Sequence, residues 1–396
     1  MSVATPAVRI RDTGSSGATP APVPRRRGHG RGGRIRGHEG LAGWLFVAPV
    51  LVILGLFLLA PILMAAWVSV SDWSGTGSPL STGVHYVGGR NYHAILSSGS
   101  LNESNFSLSI RNNFYFVLFV VPIQTVLSLT LALVVNNRRL KGRSFFRTAY
   151  YFPTVTSSVA ITVLFLFLFA VDGSVNGLLR LFGVTGPNWT NDPTGLVWVV
   201  LAALHLVGAD SQPAALVDHG FLGTTWYDWL AGPSIGMIVF IILVIWTSAG
   251  GYMLMYLAAL QNVPTDIQEA ADIDGAGRWA KLRQVVLPIL RPTTVLVLTL
   301  GIIGSWQLFD QVFAAGTQGG PGGTTVTPAF LSYQTSFQGQ QWGQGSAIAF
   351  LLFALIVVLT LLQRLATRDW SDTRARREER RIQRRRVRGA TAEGPP

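Results

Sequence analysis

Cysteine is absent from the 396 residues, which excludes a disulfide scaffold and any thiolate metal or redox site. Charge is scarce too. Asp, Glu, Lys and Arg make up 13% of the chain, against roughly 25% in an average soluble protein. The deficit is uneven: charges crowd into the two ends and a few short loops and leave long apolar blocks almost free of them. A soluble chain of this size needs charge over its whole surface, so a composition that is 49% hydrophobic points to the membrane. No G-x-x-x-x-G-K-[ST] phosphate loop occurs, so the chain is not an ATPase of that kind. The six His are scattered, with no metal-like pairing and no readable Ser-His-Asp spacing, which disfavours a membrane enzyme.

What is present is a set of apolar blocks. A helix needs about 20 apolar residues to cross the hydrocarbon, and six blocks qualify or nearly so: 41–70, 113–135, 148–171, 235–260, 294–313 and 347–365. With the N-terminus inside, 28 of the 31 Lys and Arg fall on one side, and only Arg90, Arg111 and Arg180 on the other. That is the positive-inside bias. The formal charge of +12 therefore reports topology and anionic lipid headgroups, and no nucleic-acid partner is expected. A seventh apolar run, 195–207, is too short to span, and crossing there would reverse the charge bias. It is expected to lie outside, within an enlarged outer loop over 172–234 that carries Asp172, Asp192, Asp210, Asp218 and Asp228 against Arg180. Residues 1–40 read as a disordered basic arm, 41–366 as the transmembrane domain and 367–396 as a basic tail, both ends cytoplasmic.

The loop 263–292 reads VPTDIQEAADIDGAGRWAKLRQVVLPILRP. Pro264 interrupts the preceding span, and Thr265 followed by Gln268 fits a capping box that starts a helix. Asp266 and Glu269 lie in its first turn, where carboxylates suit the helix dipole. Ile267, Ala270, Ala271 and Asp274 share one narrow, mostly small face, and Gly275 can take the left-handed conformation that ends a helix. A second helical piece, 278–286, leads to Leu287 and Pro288. From the residues alone, two readings stand level: a helix seated in another protein's groove, and an amphipathic helix at the lipid surface.

Glu269-Ala270-Ala271, then Gly275, then Leu287-Pro288 with Val285 before them, resembles the EAA loop of binding-protein-dependent ABC importer permeases. The likeness extends over about residues 41–365. Val87-Gly88-Gly89-Arg90-Asn91-Tyr92, Arg111-Asn112-Asn113 and Gly319-Gly320-Pro321-Gly322-Gly323 resemble stretches of the carbohydrate branch, the maltose-type and glycerol-phosphate-type permeases. The resemblance implies an all-α membrane protein of six transmembrane helices with a cytoplasmic coupling helix, in a sugar importer. It implies as partners a second permease subunit, two cytoplasmic ATPase subunits that bind the ATP, and an extracytoplasmic solute-binding protein. Carried over, Glu269, Ala270, Ala271, Asp274 and Gly275, with Leu287 and Pro288, form the ATPase-coupling segment. The chain itself is then a non-catalytic permease subunit without cofactor. One departure is that roughly 40 residues separate Asn188–Pro193, which resembles the approach to the fourth span, from that span.

Polar and aromatic residues within spans are costly in lipid and tend to face a pathway or another helix. Trp306, Gln307 and Asp310 at the end of the fifth span, with Trp246 and Tyr252 in the fourth, are the candidate solute-path residues. Interfacial anchoring and helix packing are the competing roles for them. A secondary, ion-coupled transporter is the rival class. It would normally show inverted repeats or intramembrane carboxylates, and the span interiors here are nearly free of carboxylates.

Overall fold

The computed structural model describes residues 39–97, 99–137, 139–206, 214–217, 220–221, 224–316 and 319–368. The basic arm and the basic tail lie almost wholly outside these residues. Five helices are long and apolar enough to cross a membrane, and a bent pair makes a sixth if its limbs count as one span.

Internal contacts divide the chain after Leu59. The described part of the first unit is the helix Glu39–Leu54 and a π-helical turn, Gly55–Leu59. Its large apolar side chains find no core within that unit, Phe46 being 86% exposed, and the run is apolar enough to belong in a membrane. The second unit opens with the helix Ala60–Ser69, which completes the apolar run Gly43–Ser69, the first span. Asn91, on the short helix Arg90–Leu96, then donates through Nδ2 to the Ser69 and Ser71 carbonyls at 2.9 and 3.0 Å. A buried amide thus fastens the chain that leaves the first span.

The second span is longer than its apolar block. It runs Leu101–Asn136, starting 12 residues before the expected 113. At about 1.5 Å per residue its 36 residues reach about 54 Å, well beyond a hydrocarbon core of about 30 Å. The added turns are polar, and hydropathy does not mark them. Asn102 donates to Gln344 Oε1 at 2.6 Å, and Glu103 Oε2 accepts from the Gly99 amide at 2.7 Å.

The third span, expected to be continuous over 148–171, is broken. Arg143–Val155 and Ser158–Leu168 meet at 97°. Thr156 takes extended backbone (φ −81°, ψ 153°), and Ser157 caps the second limb by accepting from Ala160 N at 3.5 Å. Pro153 sits just before the break. A Ser/Thr-rich junction behind a proline offers local hydrogen bonds that replace the helical ladder.

The fourth span, Ile235–Gln261, is the most buried and packs against the second and fifth. Phe116, Val120, Met237, Phe240 and Val312 meet in one cluster. Val135, Tyr256, Leu290 and Val297 meet in another. Gly250 permits a close approach: a Cβ there would overlap the Tyr150 carbonyl of the third span's first limb. Beside it Thr154 Oγ1 donates to the Thr247 carbonyl at 2.6 Å.

The fifth span, expected over 294–313, is the helix Leu287–Trp306, an irregular Gln307–Phe309 link and the short helix Asp310–Ala314. The sixth, expected over 347–365, is Trp342–Arg368. Among its described residues, the apolar run 195–207 supplies the eight-residue helix Leu196–Ala203, about 12 Å long and too short to cross. The rest of the segment before the fourth span holds the turn Ala214–Val217, a two-stranded hairpin (Gly220–Phe221 with Thr224–Thr225) and the helix Trp226–Leu230. A bridge between Gly195 and Ser234 closes its base. Asp228 pairs with the buried Arg111 of the second span at 3.5 Å, and the Tyr115 hydroxyl donates to the Trp229 carbonyl.

Candidate functional site

Two places in the second unit carry candidate function: the loop between the fourth and fifth spans, and a polar cavity among the spans.

In the loop, the helix is Thr265–Ile273. Its N-cap is Pro264, with no side-chain cap, so Thr265 is not the N-cap that the expected capping box required. Thr265 stands one place inside the helix, too late to cap it. The other end is built as the sequence suggests. Gly275 has φ +73°. Its amide donates to the Asp272 carbonyl at 3.1 Å, and the Ala276 amide to the Ala271 carbonyl at 2.9 Å, the paired bonds of a Schellman stop. Lys281, on the short helix Arg278–Lys281, forms an ion pair with Asp272 and folds the second piece back on the first. A π-helical turn, Leu282–Val286, then runs without a break into the fifth span at Leu287, with Pro288 just past the point where the helix returns to the α form.

The exposure of this loop is what sets it apart. Glu269, Ala270, Asp274 and Gly275 are exposed and Ala271 is half-buried; Leu287 is half-buried and Pro288 exposed. Ile273 is 87% exposed and Trp279 72%. The small face foreseen from the sequence is open, and large apolar side chains flank it.

The cavity, of about 290 Å³, opens where the third span breaks. Thr154, Thr156 and Ser158 line it at the junction, Thr247, Ser248 and Tyr252 from the fourth span, and Gly301, Gly304 and Ser305 from the fifth. Gln124 projects from the second span. It is 1% exposed, and its Oε1 accepts from Ser248 Oγ at 2.6 Å. Its Nε2 and the Ser158 hydroxyl are buried without a partner inside the protein. Leaving such a group unsatisfied costs roughly 1–3 kcal/mol.

Of the five solute-path candidates, Tyr252 is in the cavity wall. Trp246 packs its ring on Phe165 with centroids 5.6 Å apart. Trp306 is buried among Leu352 and Ile356, and its carbonyl accepts from Asn113 Nδ2 at 3.3 Å. Gln307 faces a different groove, beside Phe353 and Arg364 of the sixth span. Asp310 is exposed at the start of its short helix, next to Gln311 of the wall. Sequence reasoning passed over Gln124 and the third-span junction. The signal for Gln124 was present: a lone amide inside FVLFVVPIQTVLSL, where every polar side chain needs a reason.

A polar cavity walled by several apolar spans, with a surface helix between two of them, defines a multi-pass membrane transport component. The chain belongs to the family described as "Binding-protein-dependent transport system inner membrane component", whose pattern it matches over residues 124–372. It is 30% identical over 330 residues to the lactose transport system permease protein LacF of Rhizobium radiobacter, covering 83% of this chain and 94% of that one. It is 28% identical over 333 residues to the trehalose/maltose transport system permease protein MalF of Thermococcus litoralis, again 83% and 94%. Among solved structures, it resembles a bacterial ABC transporter involved in import of the acidic polysaccharide alginate, with a TM-score of 0.62 at 18% identity, covering 84% of this chain and 97% of that one. The all-helical permease fold and the family membership stand on these likenesses; an ion-coupled secondary transporter is not favoured.

Proposed function

We propose that this chain is the permease subunit of an ATP-driven importer of a sugar or sugar-like solute, and that the helix Thr265–Ile273 receives the work of a partner ATPase. The observation that carries the reading is the exposed helix itself. It ends in a rigid stop, is tied back by Lys281–Asp272, and leads straight into the fifth span, which walls the cavity. A push on it is thereby delivered to the transport path. Glu269, Ala270, Ala271, Asp274 and Gly275 are the contacts with the ATPase, with Leu287 and Pro288 at the join to the span. The excess of Lys and Arg in this loop and in both terminal segments supports a cytoplasmic location for all three. Two ATPase subunits, which bind the ATP, a second permease and an extracytoplasmic binding protein complete the assembly. Relatives named for lactose and for trehalose/maltose transport support the sugar class. A similar fold crystallised with a pentasaccharide-bound periplasmic protein supports the binding-protein partner. Alternating access follows if ATPase closure shifts the balance between two arrangements of the spans.

The test is the energy source. In proteoliposomes holding the assembly purified with its partners, uptake should require ATP inside the compartment that faces this loop. Uptake driven by a proton or sodium gradient without ATP would overturn the proposal.

A further inference from the structure

On a face of the fifth span other than the one that walls the cavity, a groove runs between the fifth and sixth spans and ends in two arginines. We propose that it is a binding site for one anionic phospholipid, with the phosphate held by Arg291 and Arg364 and an acyl chain laid between the two spans. The step goes beyond the importer reading and needs only that the spans lie in a membrane.

The groove is made of two hollows. One, of about 750 Å³, is lined by Arg291, Val295, Arg364 and Leu365. The other, of about 430 Å³, is lined by Ile303 of the fifth span and by Phe353, Val357 and Thr360 of the sixth. Leu361 and Arg364 line both, so the hollows adjoin. The groove is therefore basic at one end and mostly apolar along the rest, which matches a charged headgroup with a hydrocarbon chain and not a free ion. Arg291 lies in the first turns of the fifth span and Arg364 in the last turns of the sixth. Both guanidiniums thus stand where helices leave the hydrocarbon and long basic side chains reach the headgroups. From Arg364 back to Phe353 the sixth span covers about 16 Å, close to one leaflet of a hydrocarbon core about 30 Å thick.

The polar groups are placed for the parts of a lipid. Among the described residues no carboxylate pairs with Arg291 or Arg364. Arg291 is held in position: its Nη2 donates to the Thr367 carbonyl, at the end of the sixth span, at 3.0 Å. That bond uses one of the five N–H donors a guanidinium carries, and its planar fork suits phosphate oxygens. Thr360 lies one helical turn deeper than Arg364, and its hydroxyl is buried without a partner among the described residues. In a phospholipid the ester carbonyls lie just below the phosphate, and one of them can accept from Thr360 Oγ1. Two cations without a nearby carboxylate favour a lipid with net negative charge over a zwitterion, whose own ammonium offsets its phosphate.

The test titrates lipid into the whole assembly, purified in detergent with its partner subunits, and counts bound lipids by native mass spectrometry. The probes are phosphatidylglycerol and phosphatidylcholine with the same two oleoyl chains, and inorganic phosphate. The wild type should hold one phosphatidylglycerol about tenfold more tightly than phosphatidylcholine. Arg291→Gln combined with Arg364→Gln should abolish that preference. Arg364→Lys alone keeps the charge and should keep most of the preference, a rescue that a folding defect would not show. Val357→Trp, which fills the apolar hollow, should weaken both lipids. Inorganic phosphate in excess should leave the lipid bound. Equal affinity for the two lipids, or a preference unchanged in the double variant, overturns the site. Displacement of the lipid by inorganic phosphate overturns it too and assigns the arginines to a free anion. So does retention of no lipid by the wild type, as when a helix of the second permease fills the groove. None of these outcomes bears on the ATP requirement that tests the importer reading.

Discussion

At one end of the spanning helices, side chains fasten several of the described loops to the spans; at the other, the loop helix Thr265–Ile273 is largely exposed. Arg111 pairs with Asp228, and Asn112 Nδ2 donates to the Gly323 and Val326 carbonyls at 2.9 and 3.1 Å. Asn113 reaches the Trp306 carbonyl, Ser234 Oγ donates to the Thr324 carbonyl at 3.1 Å, and Thr327 Oγ1 to the Leu308 carbonyl at 2.6 Å. The asparagines are buried. Around Thr265–Ile273, by contrast, the described side-chain tie is the Lys281–Asp272 ion pair, and Ile273 and Trp279 face outward. The first end satisfies its polar groups within the chain. The second leaves apolar and small residues exposed, as the proposed contact with an ATPase subunit requires.

The sharpest way to break the contrast is at Gly275. Nothing lies within 4 Å of a Cβ placed there, so the penalty of a side chain comes from the positive φ alone. Gly275→Val forces a β-branched residue into left-handed backbone, a strain of roughly 1–3 kcal/mol, and reshapes the helix stop. Uptake should fall about tenfold or more while the amount of protein in the membrane stays unchanged. Gly275→Asn, which tolerates that backbone, should keep most of the uptake. Initial rates normalised to membrane protein check both.

Asn112→Ala acts on the opposite end and should do the reverse. It removes two hydrogen bonds that hold the glycine-rich loop and leaves two carbonyls to find other partners. The thermal stability of the purified subunit should drop by about 1–3 kcal/mol, while ATPase partners still copurify. The smallest effect is at the loop after the first span. The His85 amide donates to Asp72 Oδ1 at 2.7 Å, and this bond holds the Asp72 carboxyl below its ordinary value of 3.8. A carboxyl whose pKa is depressed in the fold contributes stability above its unfolded value and loses it as pH falls through the folded one. The His85 amide should therefore stay protected from hydrogen exchange at pH 5 to 7 and lose protection only well below 3.8.

Much of the architecture was legible because lipid imposes one rule: apolar runs of sufficient length become helices. The six blocks, the short 195–207 run and the Gly275 stop all follow from local residues. Hydropathy could not show where a helix continues in polar residues, as at Asn102 and Glu103. Nor could it show where an apolar block is broken from within, as at Thr156 and Ser157. The cavity depends on that second feature, so the part of its wall at Thr156 and Ser158 was out of reach of a reading that expected a straight third span, whereas Tyr252 of the fourth span was within reach. Arg111-Asn112-Asn113 and the glycine run 319–323 could be recognised only as familiar patterns. Three-dimensional contact supplies their physical role: an amide of the former anchors a carbonyl of the latter.

The proposed relay is tested most directly by where the small-faced helix can be reached and when. Because the chain contains no cysteine, Ala270→Cys gives a single labelling site at an exposed position of Thr265–Ile273. A membrane-impermeant maleimide should modify it from the cytoplasmic face alone, and ATP-bound, closed partner subunits should protect it. Modification from the outside, or modification indifferent to the nucleotide state of the assembly, would remove the contact through which hydrolysis is held to drive transport.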